Sequence, residues 1–356
     1  MSSALFQPIT LAGLTLPNRV VVAPMCQYSA EDGCMTDWHL VNLGQYAMGG
    51  PGLILIEATA VERVGRITHG CSGLYSDANQ AAMTRVIEFC RSVGHGRIGL
   101  QLGHAGRKGS AERPWEGGGS LPTGGWITDA PSAVPFDESW QTPRALDADG
   151  LARIRTAFAA AARRALDIGL DALELHMAHG YLLHEFLSPL SNRREDTWGG
   201  SFEHRIRFPL EVFAAVREVW PGDRPLGVRV SATDWVEGGW NVEETIGLAR
   251  RLQQAGCDMI HVSSGGLSPL QQIPLGPGYQ AALAAEIRRA VGMPVIAVGL
   301  ITEPIQAETM VRSGQADMVA LAREFIRDPR WTWRAAKALG ASSSVPPQYR
   351  RAIGFG

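Results

Sequence analysis

The sequence is poor in lysine and has no pair of cysteines placed to act together. Of its 356 residues only Lys108 and Lys337 are lysines, so arginine supplies nearly all of the positive charge. Lysine and arginine number 33 against 35 acidic residues, and the net charge of -2 gives no basic surface for nucleic acid. The five cysteines are odd in number, widely spaced and never in a C-x-x-C pair, which argues against disulfides and cysteine-bound clusters.

Long apolar runs are missing as well. No segment has 18 uninterrupted apolar residues, and the first residues lack the basic and then apolar pattern of an export signal. Together with the scattered cysteines, these absences predict a cytoplasmic protein without a membrane partner. The hydrophobic content of 45% still allows a large core, either of two ordinary domains or of one (β/α)8 barrel with insertions.

Short β-branched runs alternate with longer segments of helical period along the chain. The candidate strands are residues 20–24, 53–61, 98–102, 172–176, 226–231, 259–263, 294–298 and 318–321. The candidate helices between and after them are residues 40–48, 79–92, 151–168, 207–219, 242–254, 281–291, 305–313 and 331–339. Eight alternating units favour parallel strands that close into a single TIM barrel spanning residues 1–356, over an open sheet.

Two segments break this rhythm. Residues 109–146 follow the third strand and are rich in Gly, Pro, Ser and Trp, which is typical of a lid or binding loop over the active face. Residues 341–356 follow the last helix and contain two prolines and Gln348-Tyr349-Arg350-Arg351, which predicts a stiff C-terminal arm at an interface. A frayed terminus is the alternative for this arm. Lys108, Trp115, Trp126 and Trp140 stay ambiguous, since a glycine-rich loop also uses aromatic residues for its own packing.

The strand ends indicate where a ligand binds. The loops after the last two strands are the usual phosphate site of this architecture, and here they contain Gly299 and the Ala322-Arg323 turn. Arg229 alternates with two valines, so it points opposite to them and toward the barrel mouth, where a charge needs an anionic partner. A phosphate-bearing cofactor is therefore predicted. An ion pair between Arg229 and Glu174, or helix capping by Arg323, is the structural alternative.

The most informative stretch is the turn His176-Met177-Ala178-His179-Gly180-Tyr181, which follows the fourth strand. Such strand-to-loop junctions are where barrel enzymes keep their chemistry. The two histidines can donate hydrogen bonds to one substrate oxygen, while Tyr181 offers a weakly acidic proton. Structural histidines, or a metal site that adds His184, are the alternatives, but the spacing is not that of a helical zinc pair and no acidic ligand is marked out.

These motifs resemble the old yellow enzyme family, flavin-dependent ene-reductases on a (β/α)8 barrel. Cys26 with Tyr28 resembles the bacterial thermophilic-like subclass, in which a cysteine replaces a threonine near the flavin and the C-terminal tail reaches a neighbouring subunit's site. The resemblance covers essentially the whole chain, through Phe6-Gln7-Pro8-Ile9, Leu16-Pro17-Asn18-Arg19, the histidine and tyrosine turn, Asn192-Arg193-Arg194, Gly199-Gly200-Ser201-Phe202-Glu203-His204-Arg205 and Gln348-Tyr349-Arg350-Arg351.

The resemblance implies non-covalent FMN, NADPH or NADH as reductant, and an α,β-unsaturated carbonyl or nitro compound as the alkene substrate. It implies FMN contacts from Ala23, Pro24, Met25, Cys26, Ala60, Gln101, Arg229, Gly299, Ala322 and Arg323. His176 and His179 would bind the activating group of the alkene, and Tyr181 would protonate its α-carbon. Tyr28 would line the pocket, and Arg351, or else Arg350, would enter the neighbouring site of a homodimer or homotetramer. No metal is implied.

Two other functions stay open: a zinc-dependent lyase or hydrolase, and a flavoprotein without catalytic activity. A larger dienoyl-CoA-type reductase is disfavoured because the chain lacks a cysteine cluster for iron and sulfur. The sequence departs from the family at Ala322, where glycine is usual. If that position needs a positive φ, the methyl group would weaken FMN binding. On local evidence Gln101 fits a core hydrogen bond equally well, Cys26 fits a small buried hydrophobe, and Tyr28 fits a surface aromatic.

Overall fold

A computed structural model describes residues 2–352, and they form a closed barrel of eight parallel strands. Each strand pairs with the next along the chain, and the last pairs with the first. This confirms the predicted TIM barrel. The strands are β1 (Val20–Val22), β2 (Leu53–Ala60), β3 (Arg97–Gly103), β4 (Ala172–Met177), β5 (Leu226–Ser231), β6 (Met259–Ser263), β7 (Val295–Ala297) and β8 (Met318–Leu321).

One long helix follows each strand and packs outside the barrel. Several helices begin earlier than the apolar pattern indicates, because their first turns are polar and are started by capping residues. Ser76 accepts a hydrogen bond from the N–H of Asn79, and Asp147 accepts one from Gly150. The helices are α1 (Asp37–Gly49), α2 (Asp77–Val93), α3 (Ala148–Ile168), α4 (Arg207–Val219), α5 (Val242–Gln254), α6 (Ala281–Ala290), α7 (Pro304–Arg312) and α8 (Trp331–Ala338).

The lower half of the barrel interior is apolar and closed. A hairpin of Ile9–Leu11 and Leu14–Leu16 precedes β1, and its buried leucines join the interior cluster of the strands. The sequence pattern did not predict this hairpin, because three-residue strands are too short to show a period. With the amino end filled by side chains, a ligand has access to the interior only from the carboxyl ends of the strands.

The upper half of the interior is polar. Gln101 and Glu174 are register partners on β3 and β4. One step further along the barrel, His176, Arg229 and His261 form a row across β4, β5 and β6. All five side chains are buried. Because successive residues of a strand alternate between its faces, these polar residues all point inward, toward the carboxyl end of the barrel.

The segment of residues 109–146 is held against the exits of β2 and β3. The Nε1 of Trp126 donates to the carbonyl of Val64 at 2.8 Å. The Phe136 ring lies 4.8 Å below the Nζ of Lys108. A short parallel pair of Asp129–Ala130 with Arg144–Ala145 closes the segment before α3. The segment therefore has fixed contacts although it contains almost no regular structure.

The C-terminal arm folds back on its own barrel over the part that the structure describes. Pro347–Ala352 forms an exposed 3-10 helix, and the Tyr349 ring packs on Trp333 of α8 at 5.8 Å between centroids. The last four residues of the predicted arm, 353–356, lie outside the described residues. None of the helices described here combines the length and apolar character needed to cross a bilayer.

Candidate active site

The catalytic turn predicted after β4 has an unusual backbone. His179 has φ +60° and Gly180 has φ +74°, both in the left-handed region. A side chain at Gly180 would clash with the carbonyl oxygen of Gly266 in the loop after β6, so glycine is required there. A non-glycine residue in this region costs on the order of 1–3 kcal/mol and persists only where its surroundings enforce it. Tyr181 then caps the short helix Leu182–Leu187.

The His179 ring is fixed by residues of other strands. Its main-chain N–H donates to the Oγ of Ser231, at the end of β5, at 2.9 Å. Its Nε2 lies 2.7 Å from the Oγ of Ser263, at the end of β6, and its Nδ1 lies 3.4 Å from the Nε2 of His176. The other nitrogen of His176, Nδ1, is buried without a partner among residues 2–352. The turn thus has two ordered imidazoles, of which His176 keeps one ring nitrogen unpaired within the described residues.

The surroundings of the turn favour neutral imidazoles and a protonated phenol at neutral pH. Burial is the main reason that the pKa values of His176 and His179 lie well below their ordinary range, and the positive charge of the nearby Arg229 guanidinium lowers them further. Burial also raises the pKa of Tyr181 well above that of a free tyrosine. The Tyr181 ring stands edge-on to His176 at 5.1 Å between centroids. The site therefore offers neutral hydrogen-bond donors and a retained proton.

Two hollows open at the carboxyl ends of the strands, one beside each histidine. The larger has a volume of about 450 Å³ and is lined by His179, Arg229 and Ser263 on one side and by Gly299, Ala322 and Arg323 on the other. A smaller hollow is lined by Ala60, His176 and Tyr181. The two histidine rings are 5.0 Å apart between centroids. Residues at or just beyond the ends of β2, β4, β5, β6, β7 and β8 meet here.

The larger hollow fits an anionic cofactor. The guanidinium of Arg229 is buried, and its Nε has no hydrogen-bond partner within the described chain. The alternative ion pair with Glu174 is not formed, because that carboxylate is hydrogen-bonded to Gln101 at 2.7 Å and to His261 at 2.9 Å. A buried cation without an anionic partner is costly, so Arg229 favours a negatively charged ligand in the hollow.

The opposite end of the hollow suits a phosphate. Gly299 has φ +122°, which exposes backbone without a side chain. Arg323 begins the short helix Arg323–Arg327 and faces the hollow. Ala322 has φ -106°, so the alanine in place of the usual glycine is not strained by a left-handed backbone. The concern that this methyl group imposes a positive-φ penalty is therefore not confirmed.

Six of the ten predicted cofactor contacts do not line the larger hollow: Ala23, Pro24, Met25, Cys26, Ala60 and Gln101. Gln101 is buried and donates from Nε2 to Glu174, which is the core role that local reasoning kept open. The N–H of Ala60 donates to Ser72 at 2.9 Å and its carbonyl accepts from Leu74, so its main chain is already engaged. The N–H of Ala23 donates to the carbonyl of Leu321 on β8 at 2.9 Å.

The loop after β1 contains Pro24, Met25, Cys26 and Tyr28. Cys26 is half-buried, and burial, with Cys71 and Glu57 adding to it, raises the pKa of its thiol well above the usual value. This thiol is therefore protonated and is not a reactive thiolate. Tyr28 has φ +51° and its ring stands edge-on to Trp115 at 6.0 Å between centroids.

The C-terminal arm lies far from its own site. Arg350 lines a surface groove with His95, which directly precedes β3 and so marks the amino end of the barrel. Arg351 follows it and is exposed. The predicted substrate-binding Arg351 is thus at the end of the barrel opposite to the hollows of its own chain. Any contact of Arg351 with an active site requires a second copy of the chain.

His184 does not share the environment of the other two histidines. Its Nδ1 accepts a hydrogen bond from the N–H of Gly180 at 2.9 Å, and its Nε2 lies 2.9 Å from a carboxylate oxygen of Asp234. The Nδ1 is hydrogen-bonded, the Nε2 lies close to the carboxylate without hydrogen-bond geometry, and the ring is fully buried. A three-histidine metal site with His176 and His179 would have to break one of these two contacts, because His184 would bind the metal through one of its ring nitrogens.

Sequence reasoning missed several residues that shape this site. They are Lys108, Ser231, Asp234, His261 and Ser263. For His261 and Ser263 a signal existed, since polar residues alternate with apolar ones along β6, as they do in a strand with a polar inner face. For Lys108 and Asp234 no local signal exists, because Lys108 ends a single 3-10 turn after β3 and Asp234 lies in the loop after β5, and neither segment has a period.

Comparisons with known proteins agree with this geometry. A model of the NADH:flavin oxidoreductase / NADH oxidase family matches residues 4–341. The chain is 44% identical to an NADPH dehydrogenase of Geobacillus sp. (strain WCH70), with 100% of both chains covered. It is 42% identical to an NADPH dehydrogenase of Bacillus subtilis (strain 168), with 99% of each covered.

A solved structure extends the likeness to three dimensions. Morphinone reductase in complex with tetrahydroNAD superposes with a TM-score of 0.78 at 30% identity, covering 99% of this chain and 94% of that one. Family, relatives and fold thus agree over nearly the full length. The chain belongs to the NADH:flavin oxidoreductase / NADH oxidase family, that of the old yellow enzymes which its sequence resembles, and is a flavin-dependent oxidoreductase.

Proposed function

We propose that this protein is an NAD(P)H-dependent FMN ene-reductase that acts on α,β-unsaturated carbonyl or nitro compounds in two successive half-reactions. The observation that carries the proposal is the catalytic turn, on which two neutral imidazoles and a protonated phenol stand beside a hollow with an unpaired arginine. The names of the relatives, NADPH dehydrogenase and morphinone reductase, support a nicotinamide as the reductant. Bound FMN would supply the hydride chemistry, by accepting hydride from the nicotinamide and delivering it to the β-carbon of the alkene.

The histidines would bind and polarise the activating group. As hydride adds to the β-carbon, negative charge develops on the carbonyl or nitro oxygen, and preoriented N–H donors stabilise that charge. Both imidazoles are neutral, so each can donate only one N–H to this oxygen. The contacts of His179 with Ser231 and Ser263 support such preorientation.

Tyr181 would supply the proton that completes the reduction. Its phenolic O–H bond breaks as a C–H bond forms at the α-carbon, and the phenolate then regains a proton from water. The raised pKa of Tyr181 keeps the proton on the phenol at neutral pH, and the phenolate that remains after the transfer is a strong base that is readily reprotonated.

Arg229, Gly299 and Arg323 would hold the cofactor. Arg229 would balance negative charge on the ring system, while backbone near Gly299 and the guanidinium of Arg323 would bind the phosphate. Cys26 would contribute a weak S–H hydrogen bond that tunes the reduction potential. Its raised thiol pKa supports a protonated, non-nucleophilic role.

The arm and the segment after β3 would complete the site. Since Arg351 lies at the amino end of its own barrel, its predicted role requires at least a homodimer, in which it enters a neighbouring site. Residues 109–146 would act as a lid, a role supported by the contact of Trp115 with Tyr28.

The visible spectrum of the purified protein tests the proposal. We expect a yellow protein that releases one FMN per chain on denaturation, bleaches with anaerobic NADPH, and recovers its colour on addition of an enone. Release of FAD, or a colourless protein that FMN does not reconstitute, would contradict the cofactor assignment. Bleaching without recovery on any activated alkene would favour the non-catalytic flavoprotein, and activity that depends on bound zinc would favour the lyase or hydrolase.

A further inference from the structure

Lys108 is tied to the backbone of the catalytic turn. It ends the 3-10 helix Gly106–Lys108 after β3, and its Nζ donates to the carbonyl of His179 at 2.9 Å and to the carbonyl of Gly266 at 2.8 Å. Lys108 thereby connects the exit of β3 to the loops after β4 and β6. Neither contact follows from the sequence, because the three residues are 71 and 158 positions apart.

The surroundings of this ammonium group are unusual. No carboxylate of residues 2–352 lies within 4.0 Å of the Lys108 Nζ, so the two carbonyl dipoles replace an ion pair. The Nζ also lies 5.2 Å from the centre of the Tyr181 ring and 4.8 Å from that of Phe136. Contacts of this kind with aromatic faces stabilise a desolvated cation. Burial lowers the pKa of Lys108 to about 8, because removal from water destabilises the charged form of the ammonium group.

The peptide that Lys108 holds is the strained one. His179 and Gly180 are consecutive left-handed residues, and the peptide group between them is anchored on both sides. Its carbonyl accepts from Lys108, and its N–H donates to the Nδ1 of His184, which is itself held by Asp234. Without these anchors a return of His179 to a negative φ would lower the free energy of the turn, and it would swing the ring away from Ser263.

We infer that Lys108 is a positioning residue for the substrate-activating histidine: by binding the His179 and Gly266 carbonyls together, it keeps His179 in the left-handed conformation that aims its ring into the hollow. This inference rests on the proposed function for its kinetic consequence. A displacement of about 1 Å in a catalytic group can reduce the rate by about 100-fold. Loss of one of several anchors should therefore slow alkene reduction by about 10-fold to 100-fold.

The test compares Lys108→Met with Lys337→Met in the flavin-loaded enzyme. Methionine has nearly the length of lysine but no donor, and Lys337 is the other lysine of the chain, exposed on α8. Two quantities are measured: hydrogen exchange of the amides in residues 176–187 by mass spectrometry, and the single-turnover rate of enone reduction. Lys108→Met should accelerate exchange in this segment and slow enone reduction by 10-fold or more. Lys337→Met should change neither.

Each other result overturns the inference. Faster exchange with an unchanged enone rate makes Lys108 only structural, and a slower rate with unchanged exchange means that Lys108 acts directly on the substrate. If neither hydrogen exchange nor the enone rate changes, Lys108 has no role in the turn. If Lys108→Met does not fold, Lys108→Gln, which keeps two N–H donors without the charge, should show the same two effects to a smaller degree. If the wild-type enzyme reduces no alkene, the proposed function fails, while hydrogen exchange still tests the hold of Lys108 on the turn.

Discussion

Replacing Tyr181 by phenylalanine separates proton delivery from every other function of the catalytic turn. The substitution removes one hydroxyl group and keeps the ring that packs against His176 at 5.1 Å and beneath Lys108 at 5.2 Å. Because these contacts are made by the ring, we expect the free energy of unfolding to change by less than about 1 kcal/mol. The backbone of the turn should also be unchanged.

The kinetic effect should be much larger. A positioned general acid contributes about 100-fold to 10,000-fold, which corresponds to about 3–5 kcal/mol of barrier at 1.36 kcal/mol per tenfold. Reduction of an enone should therefore slow by at least about 100-fold in Tyr181→Phe. Reduction of a quinone, whose product needs no proton on carbon, should stay within about twofold, as should flavin reduction by NADPH.

Anaerobic stopped-flow absorbance measures the two half-reactions separately and supplies the control. In the wild-type enzyme the enone rate should not fall as the pH passes the ordinary tyrosine pKa of 10.0, because burial raises the pKa of Tyr181 well above it. An equal loss in both half-reactions would show that Tyr181 is structural. An unchanged enone rate would refute its role as the proton donor.

Four further outcomes are expected. His179→Ala should slow enone reduction by about 100-fold and flavin reduction less, as for loss of an oxyanion donor, and equal losses would contradict this. Cys26→Ala should shift the flavin potential, measured by dye equilibration, without loss of FMN, whereas an enzyme that can no longer be reduced would point to redox-active cysteine chemistry. Deletion of residues 345–356 should reduce the oligomer size measured by sedimentation and raise KM, whereas Arg351→Ala should raise only KM. Unchanged size and kinetics after the deletion would show that the arm has no role. Although burial opposes it, hydrogen bonds from main-chain N–H groups near the N-terminus lower the pKa of Glu308 from 4.5 to about 2. The stability that this carboxylate contributes is therefore complete above the unfolded pKa and is lost as the pH falls through about 2, so Glu308→Gln should lower the stability to urea at pH 7 but not at pH 2.

The architecture was predictable because barrel closure follows a pattern that is repeated along the chain. Each strand is an apolar run and each helix has its own period, so all eight units were found, and the bounds of β5, β6, β8, α4 and α5 agree with the prediction. Errors occur where the period is absent. Helix starts such as Asp37 and Ala148 were missed because capping turns are polar.

The place of the turn after β4 was also predictable, since His176, His179 and Tyr181 lie within six residues at one strand end. In such a short segment the chemical groups are close together in the sequence itself, so they can be identified without the tertiary structure. The backbone conformation of the turn was not predictable, because His179 adopts a positive φ only under contacts that come from Ser231 and Lys108.

Tertiary structure decided which of these residues have partners. The sequence left open whether Arg229 pairs with Glu174. The register of β3, β4 and β6 places Gln101 and His261 within hydrogen-bond distance of the Glu174 carboxylate, and they are its partners instead of Arg229. In the same way, His184 does not join His176 and His179, because its Nε2 faces the carboxylate of Asp234. The physical reason is that hydrogen bonds and charge neutralisation depend on distances between residues far apart in the chain, which are fixed only when the barrel closes and its strands take their register.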